Sequence, residues 1–256
     1  MAESIIELKT ILFAVIGGIL PAILWLWFWL GEDSKKPEPK GLIILAFFAG
    51  MVAVPVVFPL ESAACSYFTN TLTYFSSDPS TLCGAGSPVM LVILWSTIEE
   101  LAKYGFAFAI ALRSKFFDEP VDAVIYMITV ALGFSAMENF LFFIGTVSDH
   151  NIITAVLNSH LRFMGATLLH TITSSFIGIA IALSFYKPKN MKKVFLFVGI
   201  IVAILLHTLF NLTIINTETT GESIKVFSFF WIIVLLIILF FEKIKSIKKP
   251  AATVAR

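Results

Sequence analysis

Two adjacent carboxylates, Glu99 and Glu100, sit inside an apolar run, with Lys103 one turn further on. Later apolar runs carry Glu138 and Asn139, then His170, then His207 with Asn211 four residues beyond it. An ionisable group at the centre of a membrane helix costs about 2.5–3.5 kcal/mol even on a lenient insertion scale, so each marks a candidate site. Carboxylates beside imidazoles suit hydrolysis. A carboxylate in a dry setting can take a proton from water, and an amide such as Asn211 can donate to a developing oxyanion. The same types suit a metal: Glu138, His170 and His207 form a two-histidine, one-carboxylate set of the kind that holds catalytic Zn2+ with an open position. Glu99 or Glu100 would then be the general base. Residue types alone leave the metal and metal-free versions open. They also leave the base open, because neighbours on a helix point about 100° apart. The chain has no HExxH, GxSxG or GxGD motif, so a compact zinc helix and serine or aspartyl intramembrane chemistry lack support.

The elements that must carry these groups are membrane helices. The chain has 256 residues, 58% hydrophobic and only 14% charged, with a mean hydropathy of +0.93. That composition predicts an all-α, polytopic transmembrane bundle forming one integral membrane domain over 1–256. The N-terminal Met-Ala-Glu-Ser lacks a basic segment and no small-residue cleavage site follows Leu20, so the first run reads as a retained helix. Seven runs are long enough to span: 11–30, 41–60, 88–112, 121–147, 163–186, 194–215 and 224–241. The moderately apolar segment 151–162 extends the fifth span or forms an eighth helix. Lys35, Lys36 and Lys40, then Arg113 and Lys115, then Lys187, Lys189, Lys192 and Lys193, and a basic tail over 243–256 all fall on one side. By the positive-inside rule the N-terminus lies outside and the C-terminus in the cytoplasm. The loop 61–87 is then extracytoplasmic. It holds the only cysteines, Cys65 and Cys83, which an oxidising compartment would pair. Asp118 and Asp122 read as interfacial groups at the cytoplasmic start of the fourth span.

Depth unites the polar groups. At about 1.5 Å rise per residue, Glu99 lies about 17 Å below the outer start of its span and Glu138 about 13 Å below its outer end. His170 is about 12 Å inward from Arg162, and His207 about 13 Å inward from Asn216. Four helices of alternating direction thus bring their polar residues to one layer in the outer half of the bilayer. Within helices, Glu99 and Lys103 are four apart and can pair on one face, as can His207 and Asn211. Ser174 extends the polar stripe of His170, and Arg162 marks its outer end.

The ordered set Glu99-Glu100-x-x-Lys103, Asp118, Asp122 and Tyr126, Gly133-Phe134-x-x-x-Glu138-Asn139, Arg162, His170 and Gly178, and His207-x-x-x-Asn211 resembles the PrsW family of intramembrane proteases. The resemblance covers about half the chain, from Trp95 to Leu212, within the 88–215 core. That family is distantly similar to CAAX-processing endopeptidases and bacteriocin-protection proteins, where a histidine stands at the place of Glu138. The resemblance implies site-1 cleavage of a single-pass membrane protein, such as an anti-sigma factor, on its extracytoplasmic side in a prokaryotic plasma membrane. It assigns Glu99 and Glu100 to the catalytic pair, and Glu138, His170 and His207 to the remaining active-site positions. Asn211 takes an oxyanion or orienting role, and Lys103, Asn139 and Arg162 support. Three other classes share the polar layer: a proton- or cation-coupled transporter, a haem protein with two histidine ligands, and a scaffold that binds membrane segments without cutting them.

Overall fold

A computed structural model describes residues 8–32, 36–72, 87–149, 152–215 and 220–248. It has seven helices in chain order: α1 (Leu8–Glu32), α2 (Lys40–Leu72), α3 (Val89–Ala107), α4 (Pro120–Asp149), α5 (Ile152–Leu183), α6 (Lys189–Ile215) and α7 (Thr220–Lys245). A π-helical turn, Phe108–Leu112, closes α3. Among the described residues there is no strand, and six helices are long and apolar enough to cross a bilayer. The exception is α3, which has 19 residues and carries Glu99, Glu100 and Lys103.

One open alternative is decided and one expectation is corrected. The segment from Ile152 onward is continuous with α5, so it adds no eighth helix among the described residues. The outer loop does not begin at Glu61, because α2 runs on to Leu72. The apolar run ends at Leu60, but Ser62 to Tyr67 retain good helix formers such as Ala63 and Ala64, and tertiary packing carries the helix onward. The proposed partner of Cys65, Cys83, lies outside the described residues, as does the side chain of Arg162.

The helix α4 is the axis of the bundle. Every residue from Pro120 to Ala136 is buried, and α4 packs against α1, α2 and α5. A helix apolar all round belongs inside a bundle, which is where α4 sits. Helices α1 and α7 lie at the periphery and meet through Trp25 and Trp231, with ring centroids 5.6 Å apart. The basic connections converge at one end. Lys36 pairs with Glu119, whose hydrogen bond and charge raise the lysine pKa above its ordinary value. Lys245 reaches Glu32 at 2.8 Å, and Phe117 stacks edge-on against Phe185 at 5.1 Å. The N-terminus of α4 is tied down at this end: the Asp118 and Glu119 amides donate to Asp122 Oδ2 at 2.9 and 2.7 Å. Asp122 also bonds Glu38, which accepts from the Tyr126 hydroxyl.

Small residues set the closest helix crossing. A Cβ on Gly133 would lie 1.9 Å from the Phe47 carbonyl oxygen, and one on Gly50 would lie 2.0 Å from that of Val130. Backbones this close need glycine on both sides, as at small-residue crossings in membranes generally. Gly133→Ala is therefore expected to destabilise by about 1–3 kcal/mol, as overpacking does. Gly105→Ala, where a Cβ meets nothing within 4 Å, is the control. Thermal unfolding in detergent checks this; equal midpoints for the two variants would contradict the crossing.

Candidate active site

Helix α3 divides its charges between two directions. Glu100 and Lys103 are three residues apart on one face, and both are fully buried toward α5 and α6. Glu99 is turned about 100° away, toward α2 and α4. The sequence allowed Lys103 to pair with Glu99. Its partner is instead Glu100 Oε1, at 2.5 Å, because that side of α3 faces the hydroxyl-rich stripe of α5. Lys103 Nζ also meets His170 Nδ1 at 2.9 Å and lies 5.0 Å over the Phe134 ring.

Glu100 is saturated. Besides Lys103 it accepts from Thr173 Oγ1 at 2.8 Å and Ser174 Oγ at 3.3 Å, and it contacts His207 Nδ1 at 2.7 Å. A carboxylate only accepts, so His207 carries its hydrogen on Nδ1 and turns the Nε2 lone pair the other way. That lone pair faces Glu99, with Nε2 3.8 Å from Glu99 Oε2. His170 is fixed by the same logic. An ammonium only donates, so Nδ1 accepts from Lys103 and Nε2 donates to Glu138 Oε2 at 2.7 Å. His170 Nδ1 lies 3.9 Å from Glu99 Oε2, and the two imidazole rings meet edge to face at 5.3 Å.

Glu99 Oε2 is buried and, among the described residues, has no hydrogen-bond partner. It faces two imidazole nitrogens, His170 Nδ1 and His207 Nε2, at distances too long for direct bonds. Among the described residues, Glu99, His170 and His207 form the trio whose donor atoms converge, all within 4.8 Å of one another. Glu138 is not in that trio; it holds the outer nitrogen of His170. Zinc bonds of about 2.1 Å give tetrahedral edges of about 3.4 Å; the two edges to Glu99 are 3.8 and 3.9 Å and the histidine–histidine edge lies within 4.8 Å, so the three donors would draw inward on a shared ion. Lys103 shares the His170 Nδ1 lone pair, and a metal there would leave it on Glu100, its closer partner. The donor set, its orphaned oxygen and the carboxylate behind His207 therefore fit a divalent cation.

The remaining expected residues separate. Asn139 is buried at the α4–α5 contact, where Nδ2 donates to Ser135 Oγ and Thr167 Oγ1, both at 3.4 Å. It joins two helices and does not hydrogen-bond the cluster. Asn211 is half-buried one turn beyond His207 and makes no side-chain hydrogen bond to the cluster.

One acidic residue was not expected. Glu61 hydrogen-bonds the Glu99 side chain, and its carbonyl accepts from Trp95 Nε1 at 3.1 Å. With Glu99 and Glu138 it lines a cavity of about 300 Å³ whose other walls are Val54, Val57, Phe58, Phe134, Leu141 and Phe142. The spacing Val54, Val57, Phe58, Glu61 is one helix face, and that periodicity is the signal that would have carried α2 past Leu60.

The sequence model of the PrsW family intramembrane metalloprotease matches residues 38–240. The chain is 25% identical to Protease PrsW of Bacillus subtilis (strain 168) over 198 residues, 77% of this chain and 80% of that protein. It is 23% identical to Protease PrsW of Clostridioides difficile (strain 630) over 227 residues, 86% of this chain and 82% of that one. A third relative, Protease PrsW of Geobacillus kaustophilus (strain HTA426), is 21% identical over 211 residues. No solved structure matches the chain.

Proposed function

Because the chain belongs to the PrsW family of intramembrane metalloproteases, we propose that its polar layer hydrolyses a peptide bond in a single-pass membrane protein, such as an anti-sigma factor, near the extracytoplasmic face. The observation that carries this reading is Glu99 Oε2, buried without a partner among the described residues and facing His170 Nδ1 and His207 Nε2. The outward placement rests on the basic connections gathered at the opposite end of the bundle and on the positive-inside rule. The catalytic core is taken as 88–215, with Glu61 added from α2.

Glu99, His170 and His207 would hold a divalent ion such as Zn2+. When bound it supplies Lewis-acid polarisation of the scissile carbonyl and makes a water more acidic. The protein side of the mechanism follows from the hydrogen bonds. Glu100 orients His207 and keeps its Nε2 lone pair inward. Lys103 balances the buried charge of Glu100. Glu138 orients His170 through Nε2 and, as the most exposed acid bonded to the histidines, takes the proton from the attacking water and returns it to the leaving amine. Asn211, on the His207 face of α6, is the amide offered to the oxyanion.

The test is metal content beside cleavage. Detergent-purified wild type should carry about one zinc per chain, and the His170→Ala/His207→Ala double variant should carry none. Metal-free protein that still cleaves would remove the metal and leave water activation by Glu99 and the histidines. Zinc retained in the double variant would remove this ligand set.

A further inference from the structure

The cluster is sealed on every described side except one. Glu100 and Lys103 have no exposed side-chain surface, His207 has 1% and His170 has 2%. Exposure then rises along a single line, to 13% at Glu99 and 30% at Glu138. That line runs into the cavity between α2 and α4. The outer rim of the cavity is apolar and open: Phe58 is 64% exposed, and Leu141 and Phe142 also belong to the exposed surface. At its inner end the walls become Glu61, Glu99 and Glu138. The cleft is thus apolar where lipid would meet it and acidic where chemistry would occur.

The helices that form it are pinned below and loosened above. The Gly50–Gly133 crossing holds α2 against α4 on the inner side of the cleft. Above the crossing, α2 carries Pro55 and Pro59. Each proline removes one backbone hydrogen bond and bends the helix, so the outer part of α2 can lean from α4 while the crossing stays fixed.

We infer that the α2–α4 cleft is the port through which the membrane-spanning segment of a single-pass substrate reaches Glu99 from the side, in extended form, between Phe58 and Leu141. This rests on the protease reading. The occupant follows from continuity with the cluster: a peptide bond bound for Glu99 must leave lipid through an apolar rim and end among carboxylates, and among the described residues no other face of the cluster offers that path.

The experiment uses the full-length protein in native membranes. Substrates are first defined as single-pass proteins that gain new N-termini with wild type and not with Glu99→Gln. The Glu99→Gln protein is then made with the photo-crosslinker p-benzoylphenylalanine at Phe58, Leu141, Leu205 or Leu235, the last two being lipid-facing sites on α6 and α7, 61% and 60% exposed. The expected result is that those same substrates crosslink at Phe58 and Leu141 and not at Leu205 or Leu235. In an otherwise wild-type protein, Leu141→Trp, which adds bulk on an exposed rim, lowers cleavage at least about tenfold, while Leu205→Trp leaves it unchanged. Substrates that are cut but crosslink at Leu205 or Leu235 instead would overturn the port and leave the protease standing, as would full cleavage by Leu141→Trp. An absence of Glu99-dependent termini would remove the protease reading and the port with it.

Discussion

Glu99→Gln abolishes cleavage, by about 10³-fold or more, and leaves the protein folded. The expectation follows from what each α3 carboxylate touches. Glu99 Oε2 has no hydrogen-bond partner among the described residues, so exchanging it for an amide breaks no bond described there. What is lost is the carboxylate that converges with the two imidazole nitrogens, and with it the site for a cation or a polarised water. Glu100→Gln should behave differently, because Glu100 accepts from Lys103, Thr173 and Ser174 and orients His207. That change should lower both activity and the unfolding midpoint. Cleavage of a Glu99-dependent substrate, followed beside thermal unfolding in the same detergent, separates the two. Wild-type turnover by Glu99→Gln would end the assignment.

The second large effect is on stability. Lys103→Met removes the lysine bonded to Glu100, leaving a fully buried carboxylate without that counter-charge. Breaking a buried pair from one side costs about 3–5 kcal/mol, chiefly through the stranded partner. His170 loses the donor on Nδ1 at the same time. The second change Glu100→Gln removes the stranded charge, so Lys103→Met/Glu100→Gln should regain a substantial part of the loss without regaining activity. Thermal midpoints of the two single variants and the double variant test this. Additive losses would show that the two groups are not coupled, contrary to the 2.5 Å contact.

The seven helices and the meeting of Glu99, Glu100, Glu138 and His170 with His207 were legible in the sequence. Spans announce themselves by composition, and depth follows from residue counting. Direction around each helix was not legible. The sequence could not say that Lys103 would choose Glu100, because Glu99 and Glu100 are equally plausible partners until the neighbours of α3 are known. For the same reason Glu99, and not Glu138, converges with the two histidines. Glu61 was read as the first residue of a loop because the apolar run stops at Leu60, whereas helix α2 continues on tertiary contacts such as Trp95 Nε1 to the Glu61 carbonyl. The cluster of Glu38, Asp122 and Tyr126 was half seen. Asp122 was read as interfacial, but Glu38 lies far away in sequence and only the fold brings them together.

The composition of α3 also bears on how the protein is made. Six helices can partition into lipid as each leaves the ribosome, but α3 brings three charged groups at about 2.5–3.5 kcal/mol each and emerges before their partners on α5 and α6. Thr173, Ser174, His170 and His207 are synthesised between 67 and 107 residues after the α3 groups they bind. Until α5 and α6 arrive, α3 has no dry place to go. Stable insertion of this segment is thus a late, cooperative event in biogenesis, and a nascent chain truncated before α6 should leave it accessible to water-soluble reagents.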